Sequence, residues 1–322
     1  MEVVPKKRLE LYTGRSHPEL AREIARHLGV ELGEANITAF ANGEIHCRFG
    51  DSVRGADVFV VQTHAGSVND WVFEQCIMID AAKRASAKRI TAVCPYYGYS
   101  RQDRKAEGRE PITAKLVANM LRVAGADRIV SLDLHSGQIQ GFFDGPFDHL
   151  TAGRVLVEYL ERNLPQPPVV VAPDAGRLRV AERYAQYLDA ELASVYKKRA
   201  RGEVRALGVM GAKEVEGRHC VLIDDMIDTA GTIVAAADIL IATGASEVWA
   251  MATHALLSDP AVDRLKNSAI TKVVVTDTVP VPSEKCIDKI EILSVASVVA
   301  DAIDAVFEDT SVSEIFDGEN QP

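Results

Sequence analysis

The chain has 322 residues, 47% of them hydrophobic and 25% charged, enough for two cores of ordinary size. A formal net charge of −10 gives non-specific nucleic-acid binding no global support, and no stretch approaches the roughly 18 consecutive apolar residues of a membrane span. The five cysteines, Cys47, Cys76, Cys94, Cys220 and Cys286, are odd in number and widely spaced, so they read as reduced thiols of a cytoplasmic protein and form neither a disulfide framework nor a metal-binding pair.

Residues 8–12 read as a short strand, and Thr13-Gly14 turns it into a helix that opens on a capping box, Ser16 with Glu19 three residues on. Leu20, Ile24 and Leu28 give that helix its buried stripe and Gly29 its stop. Residues 36–40 and 45–49 read as strands around Ala41-Asn42-Gly43-Glu44, because Asn-Gly favours the positive-φ turns of a hairpin. An apolar strand over 56–62, a helix over 68–84 and a strand over 89–95 follow. Tyr96-Tyr97-Gly98-Tyr99-Ser100 then leads into an almost wholly charged run over 101–109. A helix over 113–123 precedes a strand over 128–134 that ends at His135.

Asn163-Leu164-Pro165-Gln166-Pro167-Pro168 looks like a connector, and Val169 begins a second series of strands and helices. Alternation at this spacing indicates an α/β fold of mainly parallel sheets flanked by helices, with binding groups beyond the strands' C-terminal ends. Two tandem domains are expected, 1–150 and 151–322, with the tail from about 305 on either docking on the first domain or fraying. A weak internal repeat relates them: Gly55 to Gln62 parallels Gly217 to Asp224, each before a helix. Gln62-Thr63 stands in the first half where the second has Asp224-Asp225, so two related domains are inferred, one of which has lost a site that the other keeps; a shared α/β rhythm without duplication is the plainer alternative.

The most informative stretch is Val221-Leu222-Ile223-Asp224-Asp225-Met226-Ile227-Asp228-Thr229-Ala230-Gly231-Thr232. An apolar strand without alternation is buried on both faces, and this one ends in two aspartates. Asp228 to Thr232 then supply backbone N–H groups, two hydroxyls and a glycine just before a helix whose positive N-terminal end attracts phosphate. The helix shows in Ile233, Ala236, Ala237, Leu240 and Ile241, with Gly244 to stop it. Carboxylates too close to a phosphate would repel it, so they are expected to accept hydrogen bonds from sugar hydroxyls a short way off. A ribose phosphate satisfies both halves.

Three further groups carry chemistry. Arg101-Gln102-Asp103-Arg104-Lys105 follows a strand end beside Tyr96 and Tyr97, whose rings offer flat surfaces; an arginine on phosphate and an amide on a base edge suit a nucleotide. Asp133 and His135, two apart at a strand end, face one way. With Asp174 of Pro173-Asp174-Ala175-Gly176, His135 suits Mg2+, which keeps much of its shell as water and substrate oxygens. Lys197 and Arg199 point to one side of an extended segment and would clamp a transferring phosphoryl group. A solvated basic loop is the plainer reading of that last pair.

The 221–232 stretch resembles the ribose-phosphate motif of type I phosphoribosyltransferases and of phosphoribosyl pyrophosphate synthetases. Adding Phe40-Ala41-Asn42-Gly43-Glu44, Ser100 to Lys105, Pro111 to Leu116, Asp133-Leu134-His135, Gln138 to Phe143 and Pro173 to Gly176, nearly the whole chain resembles class I phosphoribosyl pyrophosphate synthetases (ribose-phosphate diphosphokinases). The resemblance implies tandem phosphoribosyltransferase-like domains and Mg2+-dependent transfer of the β,γ-diphosphoryl group of ATP to the C1 hydroxyl of ribose 5-phosphate. It implies that Phe40, Asn42 and Glu44 hold adenine from an adjacent subunit, that Arg101 and Gln102 bind ATP, and that His135 and Asp174 ligate Mg2+. By the same resemblance Asp224 and Asp225 hold ribose hydroxyls, Asp228, Thr229, Ala230, Gly231 and Thr232 hold the 5-phosphate, and Lys197 and Arg199 belong to a mobile catalytic loop.

The resemblance further implies a homohexamer, with ADP and phosphate as effectors at Ser52, Arg54, Gln140, Asp148 and Ser311. Nucleic acid and membrane are not expected partners. Two departures from the family pattern stand out: Asn42 where many members have Asp, and Arg177-Leu178-Arg179 where a second glycine is usual. The alternatives are a phosphoribosyltransferase, which leaves residues 96–105 and the Lys197/Arg199 pair unexplained, and a non-catalytic regulatory subunit, in which metal or loop residues would be lost.

Overall fold

Apolar runs without alternation make the centres of two parallel sheets, as burial on both faces requires. The computed structural model describes residues 7–164, 166–200 and 203–316, the side chains of 197–200 and 203–207 excepted. It divides into two units: residues up to 151 together with those from 294 on, and residues 152–293.

In the first unit the elements are β1 (Leu9–Thr13), α1 (Pro18–Leu28), β2 (Ala35–Ala39), β3 (Ile45–Phe49), β4 (Asp57–Val61), α2 (Val68–Arg84), β5 (Arg89–Cys94), α3 (Thr113–Ala124), β6 (Arg128–Leu132) and β7 (Phe147–Leu150). Strands order as β1-β4-β5-β6-β7, all parallel, while β2 and β3 form a separate antiparallel hairpin. Interior strand β4 is buried at every position, and its Val58 and Val60 pack with Ile79 of α2 and Leu121 of α3.

The second unit contains α4 (Gly153–Asn163), β8 (Val169–Ala172), α5 (Leu178–Tyr187), β9 (Leu192–Ala200), β10 (Glu203–Met210), α6 (Ala212–Val215), β11 (His219–Ile227), α7 (Gly231–Ala242), β12 (Glu247–Ala255), α8 (Ala261–Lys266), β13 (Lys272–Thr276) and β14 (Ile290–Leu293). Its sheet runs β10-β9-β8-β11-β12-β13-β14, parallel except for the β9–β10 hairpin. The order β8-β11-β12-β13-β14 repeats that of β1-β4-β5-β6-β7, and each unit inserts its hairpin after its first strand and helix. The weak sequence repeat therefore corresponds to a repeated architecture.

The last helix, α9 (Ala296–Glu308), packs against α1 and so belongs with the first unit, whereas the sequence reading runs the second domain to the C-terminus. Asp309 just after it pairs with Lys7 at 2.7 Å and with Arg89, and these cations hold its carboxyl down to about 2. Phe316 is buried.

Local expectations fail where a tertiary partner wins. α1 opens on His17 without a side-chain cap, because Ser16 Oγ instead donates to Gln62 Oε1 at 2.7 Å and accepts from the Thr63 N–H at 3.0 Å. Along α7, Ile233, Ala236, Ala237 and Leu240 are buried, but Ile241 is 40% exposed. Among the described residues no helix is long and apolar enough to cross a membrane.

Candidate active site

From sequence the β11 strand is expected to end in the two aspartates, but it continues to Ile227 and carries both within it. Its neighbours β8 and β12 run parallel to it, and Cys220 to Ile223 are buried. Asp225 is 7% exposed and Asp224 is half-buried. Adjacent buried carboxylates repel each other and lose hydration, so a cation is required beside them. It is Arg177, whose Nε lies 3.0 Å from Asp224 Oδ1 and whose Nη2 lies 3.0 Å from Asp225 Oδ1. The Asp225 N–H also donates to Asp224 Oδ1 at 2.9 Å. Burial, and then the Asp225 carboxylate, push the Asp224 carboxyl far above the ordinary carboxylate range, while Arg177 opposes that shift.

Arg177 closes a short 3-10 turn, Ala175–Arg177, that follows β8. Asp174 opens the turn, and its Oδ1 accepts from the Gly176 N–H at 2.9 Å. One turn thus carries both the candidate metal carboxylate and the cation that joins Asp224 to Asp225.

Beyond β11, Ala230 takes the left-handed conformation with φ 59° and caps α7 without a side-chain hydrogen bond to its first turn. The helix end therefore keeps its field toward an anion. Thr229 and Thr232 are exposed, and Arg264 of α8 donates from Nη1 to the Thr229 carbonyl at 2.9 Å. A Cβ on Gly231 would stand 3.3 Å from that Nη1, so the glycine keeps space for the guanidinium. Arg264 lies 35 residues along the chain from Thr229 and has no local sequence signal.

Lys197 and Arg199 fall on β9, opposite Leu207 and Val204 of β10, with an irregularity in the ladder between those two partners. The side chains of Lys197 and Arg199 lie outside the described residues.

In the first unit a cleft of about 460 Å³ lies between the N-terminal turn of α2, from Gly66 to Asp70, and the segment after β5 that includes Tyr96, Tyr99, Arg101 and Gln102. The Gln102 Oε1 accepts from Thr113 Oγ1 at 2.6 Å, and the Gln102 N–H donates to the Tyr99 carbonyl at 2.9 Å. Arg101 and Gln102 are exposed, but Asp103 turns inward to Gln138 Nε2. Tyr97 is a core residue and offers no flat surface to a ligand: it is 1% exposed, and its hydroxyl donates to the Ala114 carbonyl at 2.9 Å.

β6 stops at Leu132, three residues before His135, and Asp133 adopts φ 32°. The strand alternation expected to turn Asp133 and His135 the same way therefore does not apply. His135 is half-buried.

At the hairpin tip, Gly43 has φ 91° and the Phe40 N–H donates to the Glu44 carbonyl at 2.8 Å. Asn42 Oδ1 accepts from the Glu44 N–H at 3.2 Å, and Phe40 stays 57% exposed. Of the residues expected to bind effectors, Ser52 and Arg54 both offer their carbonyls to Arg8, and Asp148 is paired with Arg128. Gln140 sits in the 3-10 turn Gly137–Phe142, and Ser311 is exposed.

A family model described as the N-terminal domain of ribose phosphate pyrophosphokinase matches residues 9–125, and one described as a phosphoribosyl synthetase-associated domain matches residues 200–317. A ribose-phosphate pyrophosphokinase of Streptomyces avermitilis is 53% identical over 97% of this chain and 97% of its own. One from Bifidobacterium longum is 53% identical over 98% of this chain and 95% of its own. The crystal structure of phosphoribosylpyrophosphate synthetase from Mycobacterium smegmatis matches with a TM-score of 0.90 at 50% identity, covering 94% of this chain and all of that one.

Proposed function

Because the chain belongs to the ribose-phosphate pyrophosphokinase family and is thereby an enzyme, we propose that it transfers the β,γ-diphosphoryl group of ATP to the C1 hydroxyl of ribose 5-phosphate, giving phosphoribosyl pyrophosphate and AMP. The observation that carries this reading is the Asp224–Asp225 pair on β11, half-buried and buried in turn, followed by the N-terminus of α7, whose N-cap Ala230 makes no side-chain hydrogen bond. Carboxyl groups suit sugar hydroxyls, and a helix N-terminus suits a phosphate.

In this reading the second unit orients the acceptor. Asp224 and Asp225 accept from ribose hydroxyls, and residues 228–232 hold the 5-phosphate. The first unit serves the donor through Arg101 and Gln102, while Phe40, Asn42 and Glu44 reach the adenine of an adjacent subunit. The exposed aromatic at the hairpin tip supports that last role. The C1 oxygen attacks the β-phosphorus in line and gives its proton to solvent, while the bond from the β-phosphorus to the bridging oxygen breaks with its electron pair on AMP. Positioning and electrostatics supply most of the acceleration, so no side-chain nucleophile is needed. Lys197 and Arg199 would stabilise the charge that develops on the transferring group.

Mg2+ would be held by His135 and Asp174. One histidine and one carboxylate leave most of the shell to water and substrate oxygens, which suits Mg2+. When bound, it would neutralise charge on the diphosphoryl oxygens. A cytoplasmic homohexamer regulated by ADP and phosphate at Ser52, Arg54, Gln140, Asp148 and Ser311 completes the reading.

The test is direct. Incubated with ATP, Mg2+ and ribose 5-phosphate, the protein should yield AMP and phosphoribosyl pyrophosphate in equal amounts. ADP in place of AMP, or no turnover, would overturn the proposal.

A further inference from the structure

We infer that Arg177 is a positioning residue of the acceptor-sugar site: its guanidinium joins the Asp224 and Asp225 carboxylates into one surface that accepts hydrogen bonds from the sugar. The inference rests on the reading that these aspartates hold ribose hydroxyls.

Successive residues of a strand project to opposite faces of its sheet. Two neighbouring aspartates within β11 would by themselves be poor co-ligands of one small sugar. Arg177 changes that. Its Nε and Nη2 lie on one edge of a planar fork and each meets an Oδ1, both at 3.0 Å, one from each aspartate. The two acceptor oxygens are thereby held within the span of that edge. Only arginine offers this geometry; a lysine ammonium supplies the charge from a single point.

The surroundings add weight to the contact. The Arg177 side chain is 12% exposed and that of Asp225 is 6% exposed, so the ion pairs are weakly screened. The Asp174 carboxylate accepts from Gly176 within the same turn and so fixes the backbone that delivers Arg177. A carboxylate accepts several hydrogen bonds through its two oxygens, so engagement by Arg177 is compatible with a hydroxyl contact. Without the cation, the repulsion between the adjacent carboxyls would be unopposed and one would rotate away.

The experiment measures steady-state kinetics with ATP and Mg2+ on the wild type, Arg177→Met and Arg177→Lys. Arg177→Met should raise KM for ribose 5-phosphate by roughly 10-fold or more, as loss of uniform substrate binding does, with kcat and KM for ATP each within about threefold. Arg177→Lys should fall between the wild type and Arg177→Met. An unchanged KM for ribose 5-phosphate in Arg177→Met overturns the inference. So does a parallel loss of kcat and of both substrates' affinity, which marks a general structural role. If Arg177→Met does not fold, Arg177→Lys decides: a raised KM for ribose 5-phosphate alone supports the inference, and wild-type kinetics overturn it.

Asp228→Ala separates this inference from the reading beneath it. A raised KM for ribose 5-phosphate in Asp228→Ala with none in Arg177→Met removes only the role of Arg177. An unaltered KM in Asp228→Ala removes the ribose site itself.

Discussion

β4 of the first unit and β11 of the second start alike and end differently. Each follows a glycine at φ 70°, Gly55 or Gly217, whose N–H donates at 2.8 Å to a carbonyl beyond the next helix, that of Ser86 or Gly244. Each then runs through the interior of its sheet, paired on both sides and largely buried. At the C-terminal end of β4 the frame closes on itself. Gln62 accepts from the Ser16 N–H and Oγ–H at 3.2 and 2.7 Å and donates to Glu74 Oε1 at 2.9 Å, and Glu74 is paired with Arg15 at 2.7 Å. An amide, which both donates and accepts, suits such an interior network. On β11 the matching positions hold two adjacent acidic side chains, bridged by one guanidinium. The same frame thus yields a structural joint where the side chain can satisfy its neighbours in both directions, and a candidate sugar site where a cation bridges the pair.

Installing the second unit's residue in the first should break this contrast most severely. Gln62→Asp places a second carboxylate beside fully buried Glu74 and removes the amide donor, and it should cost about 3–5 kcal/mol of stability, read from the denaturant midpoint. Full retention of stability would mean that the network is not what closes β4.

Acid should expose the same closed end. His64, two residues beyond Gln62, is fully buried, accepts from the Gly98 N–H at Nδ1 and is hydrogen-bonded to Gln75 Oε1 at 2.9 Å. Burial pushes its pKa down to about 4 from 6.5. Between those two values the unfolded chain binds a proton that the folded chain does not, so stability is full above about pH 6.5 and falls as pH is lowered toward 4. The loss should be on the order of 3 kcal/mol. His64→Gln should flatten that slope in melts taken across this range; an unchanged slope would assign the acid sensitivity elsewhere.

Two substitutions sharpen the open end. Lys197→Ala should lower kcat by at least about 100-fold with little change in ribose 5-phosphate affinity, as loss of a transition-state contact does. A kcat equal to wild type would remove Lys197 from the chemistry. Arg264→Ala, which frees the Thr229 carbonyl, should have the smallest effect, raising KM for ribose 5-phosphate by roughly fivefold through one lost charge-assisted hydrogen bond. No change would leave the loop fixed by its own backbone.

Much of this was legible in the chain because it is local. The helix over 68–84 and the strand over 169–172 need only their own apolar pattern, and the turn before α7 announces itself in Asp228 to Thr232. What escaped depends on residues distant in sequence. Arg177 reads as a departure from a glycine pattern until its two carboxylate partners are in place, and Arg264 reads as an ordinary surface charge. The Ser16 cap failed because Gln62 offered that hydroxyl a better partner, and Tyr97 turned inward because the Ala114 carbonyl accepts its hydroxyl. Alternation past Leu132 failed because Asp133 left the extended region.

The central claim is that the end of β11 is the acceptor-sugar site. Calorimetric titration of ribose 5-phosphate into the wild type and into the Asp224→Asn/Asp225→Asn double variant, with a non-hydrolysable ATP analogue titrated in parallel, tests it most directly. The double variant should lose ribose 5-phosphate binding and keep binding of the nucleotide. An unchanged Kd for ribose 5-phosphate in the double variant would contradict it.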